Sequence, residues 1–95
     1  MILELDSFEM LEKDLGGYQA VLSFGDTELS IISGDGAYGN KTAPYEIGVF
    51  KHGEMIVLPG ITKPDDTIKG YLTKSDVDAI IKKMYLLTGT KPRQI

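Results

Sequence analysis

The chain has 95 residues, 42% hydrophobic and 25% charged, with fourteen acidic and ten basic residues for a formal net charge of −4. Such a chain makes one domain with a core burying roughly 60–65% of the unfolded surface, and its ordinary composition excludes disorder as the default. The scattered basic residues argue against direct nucleic-acid binding, which needs clustered Lys and Arg, and the lack of cysteine excludes disulfides, thiolate metal sites and a cysteine nucleophile.

The first six residues, Met1-Ile2-Leu3-Glu4-Leu5-Asp6, have neither the basic start nor the long apolar region of a signal peptide. No apolar run approaches the length of a membrane span, and together these predict a cytoplasmic protein without membrane contact. Asp6 or Ser7 can cap a helix over residues 7–15, in which Phe8, Leu11 and Leu15 recur at helical spacing and Gly16 follows the end. Tyr18 to Phe24 then alternates strictly, with Tyr18, Ala20, Leu22 and Phe24 on one face. Gly25-Asp26 is a tight hairpin turn, and Thr27 to Ile32 is the return strand.

After a glycine-rich segment over residues 33–44, alternation resumes in Tyr45 to Phe50. Lys51-His52-Gly53-Glu54 predicts a second hairpin turn into Met55 to Leu58, and Pro59-Gly60 ends that strand. Lys63-Pro64-Asp65-Asp66 is a loop by its turn residues, and Ile68 to Leu72 predicts a short extension of the sheet edge. Thr73-Lys74-Ser75-Asp76 is a capping box with aspartate in the glutamate place. Val77, Ile80, Ile81, Met84 and Leu87 line one face of the helix that follows, and Gly89 stops it. Residues 90–95 are expected to fray.

A meander with one apolar face needs a cover. The expected fold is therefore α+β, a four-stranded antiparallel meander with two helices on one face in the order α-β-β-β-β-α.

Ser33 to Pro44 is the stretch whose composition core packing does not explain, and Gly34, Gly36 and Gly39 fit G-x-G-x-x-G. A dinucleotide fingerprint needs a helix after the glycines, within a parallel βαβ unit. Here Pro44 and an alternating strand follow. A phosphate-binding P-loop fails as well, because Asn40 displaces Lys41-Thr42 by one residue. The glycine flap of protein kinases does lie between strands, but the rest of a kinase is absent. The segment is then either a wide, bulged connection with Tyr38 over the core edge, or a binding loop whose exposed contacts are Asp35, Tyr38, Asn40 and Lys41. Asn40-Lys41-Thr42 also matches a glycosylation sequon, idle without secretion.

Material for catalysis is thin. His52 is the only histidine, in a turn, without a second ligand or acid at useful spacing. Asp65-Asp66 lacks the pattern of a calcium loop, Asp76 and Asp78 complement the dipole of the last helix, and no serine sits in an elbow motif. No enzyme, cofactor or metal is expected.

Gly34 to Gly39, Tyr45 to Phe50, and Gly70-Tyr71-Leu72-Thr73 followed by the amphipathic helix resemble, over residues 30–88, small proteins of unknown function encoded in accessory regions of phages and prophages. The resemblance implies an anti-defence protein, of which anti-CRISPR proteins are one sort, acting without catalysis in the host cytoplasm by binding and inhibiting or modulating a larger host protein. Homo-oligomerisation is compatible with it. From the residues themselves a second possibility stands beside it: the loop binds a small anionic or nucleotide-like ligand through backbone N–H groups, with Lys41 supplying charge.

Overall fold

Alternating side chains on three central segments set the frame of the molecule, described by a computed structural model over residues 3–95. Among these residues one antiparallel sheet contains β1 (Leu11–Glu12), β2 (Tyr18–Phe24), β3 (Thr27–Ser33), β4 (Tyr45–Lys51), β5 (Glu54–Ile56), β6 (Ile68–Leu72) and β7 (Arg93–Gln94). Among the described residues a single α-helix, α1 (Lys74–Thr88), lies between β6 and β7, and a 3-10 turn at Leu5–Ser7 precedes the sheet. The fold is thus α+β, as expected.

Strands β2, β3 and β4 pair without slippage, from Phe24 opposite Thr27 to Tyr18 opposite Ser33, and from Thr27 opposite Lys51 to Ser33 opposite Tyr45. Both two-residue hairpins form as their residues require. Gly25 takes φ 83° in the first, while His52 and Gly53 at φ 53° and 80° make the paired positive-φ turn of the second. Alternation buries Leu22 and Phe24 of β2, Leu29 and Ile31 of β3, and Ile47 and Val49 of β4. They share one cluster with Val77, Ile80, Ile81 and Met84 of α1, closed by Leu5, Ile61 and Leu72.

Helix α1 follows its local signals. The Thr73 hydroxyl accepts the Asp76 N–H and the Asp76 carboxylate accepts the Thr73 N–H, completing the capping box. Gly89 adopts φ 66° and donates to the Tyr85 carbonyl. The buried stripe ends at Met84, since Leu87 is half exposed.

The expected four-stranded meander is present as β2-β3-β4-β5, but the sheet has seven strands, because the outer edges of β2 and β4 are each shared by two short strands. On β2, β1 pairs at Tyr18 and Gln19 and β7 at Leu22 and Ser23. On β4, β6 pairs at Tyr45, Ile47 and Gly48 and β5 at Val49 to Lys51. Ile68–Leu72 therefore pairs directly with β4, beside β5.

The helix expected over 7–15 does not form, so one helix rather than two covers the sheet. Nine residues make a marginal helix by themselves, and tertiary pairing competes with it successfully. Leu11 sits opposite Gln19 in the sheet, and Leu15 is 97% exposed. The C-terminal residues, expected to fray, include β7, which pairs with the edge of β2. Gln94 pairs with Leu22, the Ile95 N–H donates to the Val21 carbonyl, and the Gln94 carboxamide hydrogen-bonds both the N–H and the carbonyl of Glu9.

Asp78 acts across the fold as well as within its helix. Its carboxylate accepts the Leu5 N–H at 2.7 Å and the Lys74 ammonium at 3.1 Å, and Lys74 reaches Asp6 at 3.3 Å. These partners raise the Lys74 pKa, the Asp78 hydrogen bond most of all. The N-terminal turn is thereby tied to α1.

Candidate functional site

Strand β6 carries one residue more than its partner can match. Tyr45 pairs with Leu72 and Ile47 with Lys69, so Gly70 and Tyr71 together face the single residue Glu46. The resulting bulge turns Tyr71 to φ 55°, a left-handed conformation that costs an aromatic residue on the order of 1–2 kcal/mol.

The glycine loop over 33–44 folds back onto this bulge. The Tyr71 N–H donates to the Tyr38 carbonyl at 2.8 Å, and the Tyr38 N–H donates to Glu46 Oε1 at 2.8 Å. Glu46 is 7% exposed, although it occupies a polar position of an alternating strand. A side chain at Gly70 would place its Cβ 2.7 Å from both the Cβ and the carbonyl oxygen of Tyr38, so the approach of loop to strand requires glycine.

Pinned in this way, Tyr38 and Tyr71 keep their side chains on the surface, 62% and 59% exposed. They line one open groove of about 560 Å³ together with Asp65, Asp66 and Lys69. The two aspartates come from a tight turn in which the Lys63 N–H donates to the Asp66 carbonyl and the Asp66 N–H to the Lys63 carbonyl. Lys69 lies close enough to Asp76 to help lower its pKa, a shift caused chiefly by the hydrogen bonds from Thr73.

Comparison with protein-family models, curated proteins and solved structures found no match to this chain. The chemistry of the site follows from its own residues.

Of the four loop residues expected to make contacts, Tyr38 lines the groove with Tyr71, while Asn40 and Lys41 border a separate depression of about 210 Å³ with Gly34, Gly39 and Pro44. Asp35 lies at a third, beside Leu15 and Gly16. The Asn40 carboxamide is engaged locally, its oxygen accepting the N–H groups of Thr42 and Ala43. Sequence reasoning gave Glu46, Gly70 and Tyr71 no role in the site. Glu46 has the spacing of a solvent-facing residue, and nothing local to Tyr71 announces a positive φ.

His52 is exposed in its turn. Among the described residues no group of three His, Cys, Asp or Glu side chains could hold a metal ion, and no helix is long and apolar enough to cross a membrane.

Proposed function

We propose that this chain is a non-enzymatic protein-binding module, an accessory protein of the phage-encoded kind that inhibits or modulates a larger host protein, and that Tyr38 and Tyr71 form its contact face. The observation that carries this reading is the held exposure of the two rings. Both belong to residues anchored through their backbones, yet neither ring is buried. Large, pre-positioned aromatic groups supply contact area at low entropic cost, the property that places tyrosine among the anchors of protein interfaces. A left-handed tyrosine that gains little burial is strain without a packing return, the pattern of a residue held for contact with something else.

A phosphate cradle in the glycine loop has less support. Such a cradle needs free N–H groups. Five of the loop's N–H groups, those of Ala37, Tyr38, Asn40, Thr42 and Ala43, are taken up inside the protein, which leaves fewer to converge on a phosphate.

The test is capture. The tagged chain is expected to retain a host protein from extract, and Tyr38→Ala to weaken that retention at least about tenfold with an unchanged melting temperature, as for an interface anchor. Retention unaffected by Tyr38→Ala and by Tyr71→Gly would remove this face from the function.

A further inference from the structure

We propose that the groove between Tyr38 and Tyr71 receives a cationic side chain, an arginine above all, from an extended segment of the partner protein. This rests on the protein-docking reading above and adds the chemistry of the occupant.

The groove combines two features that together select a cation. Its lining includes two exposed tyrosines, and a guanidinium is attracted to the face of such a ring. Its acidic members, Asp65 and Asp66, are exposed, and neither forms an ion pair among the described residues, where the bridging carboxylates are Asp26, Asp6 and Asp78. One cation lines the groove with them, Lys69. It also borders a neighbouring depression that contains Asp76, whose carboxyl feels its charge. Lys63, in the same turn as the aspartates, does not line the groove. The balance of the groove is therefore acidic, as is that of the whole chain at −4.

Other occupants fit less well. An anionic group would face two carboxylates, and an apolar side chain would strip water from them without replacing its hydrogen bonds. A bare metal ion finds too few ligands among the described residues. Arginine satisfies both halves at once, its plane against a ring and its forked N–H groups on a carboxylate, which the compact ammonium of lysine does less completely. Because the backbone of Tyr71 is held in its bulge and that of Tyr38 by the Glu46 hydrogen bond, only the two side chains remain to be ordered on binding.

The experiment is a titration of the nitrogen-15-labelled chain, followed by amide shifts, with three capped octapeptides. They are Gly-Ser-Arg-Gly-Ser-Arg-Gly-Ser and the same sequence with either citrulline or leucine for arginine. The arginine peptide is expected to move the amides of Tyr38, Lys69, Gly70 and Tyr71. The citrulline peptide, equal in shape but uncharged, should bind about fivefold more weakly, as should the arginine peptide to Asp65→Asn/Asp66→Asn, a loss in the range of two exposed ion pairs. Tyr71→Gly, which suits the left-handed backbone, should weaken it about threefold by removing one ring. Equal binding of arginine and citrulline peptides, or indifference to the double aspartate change, overturns the cation. Tighter binding of the leucine peptide at the same amides overturns the cation but leaves the docking face standing. Failure of all three peptides to move any groove amide counts against both.

Discussion

Helix α1 and the bulge of β6 meet at Leu72 and Thr73, yet they obey opposite rules. In α1 the cap at Thr73 and Asp76, the stripe from Val77 to Met84 and the left-handed glycine at its end all favour the same structure. One residue before Leu72, a tyrosine occupies a conformation suited to glycine, and the glutamate facing it is buried. Agreement between local preference and fold marks a segment whose task is stability, and disagreement marks one whose geometry is retained for another reason. The contrast locates the candidate site more sharply than the glycine pattern of the loop does.

That contrast can be broken or sharpened by substitution. The largest expected effect lies on the helix side: Ile81 is fully buried, and Ile81→Ala should destabilise by about 3 kcal/mol in denaturant unfolding, a value below about 1 kcal/mol being inconsistent with its place in the core. Next is Gly70→Ala, where the new methyl must displace Tyr38. A loss of about 1–3 kcal/mol is expected, with shifts of the Tyr38 and Tyr71 amides, whereas an unperturbed spectrum would show that loop and strand are not in contact.

Tyr71→Gly should have the opposite sign. Relief of the left-handed strain, offset by the greater freedom of unfolded glycine, predicts a gain of about 0.5 kcal/mol and a slightly higher melting temperature. A clear loss would mean that the ring stabilises the fold and would weaken the case for a contact residue.

The smallest effect is read in pH. The hydrogen bonds from Thr73 lower the Asp76 pKa from its ordinary value of 3.8. A depressed carboxyl contributes stability that is fully present above the unfolded value and is lost as pH falls through the folded one. Asp76→Asn should therefore melt earlier than wild type at neutral pH, with the difference shrinking below about pH 4. A difference constant across that window would contradict the capping assignment.

Legibility from sequence followed the range of the interactions. The hairpins at Gly25-Asp26 and His52-Gly53 were legible because each turn is determined by its own two residues. The segment over 7–15 was not, since Leu11 is held by Gln19 and Glu9 by Gln94, at the far end of the chain. The same holds for the C-terminal strand, which has no apolar alternation of its own. Within the candidate site, Tyr38 could be singled out as a large aromatic residue in a glycine-rich loop. Its partner Tyr71 could not, because their association depends on a register shift in β6 and on a glutamate buried from above.

By itself, then, the sequence determined the α+β class, the three central strands with their inward faces, and α1 with both of its ends. All of these depend on spacing and on contacts a few residues apart. Tertiary structure decided which short strands close the edges of the sheet, that one helix covers it, and that Tyr38 and Tyr71 share a groove. Those outcomes depend on hydrogen bonds between residues tens of positions apart, such as Tyr71 to Tyr38 and Gln94 to Glu9, whose formation only the folded core makes favourable.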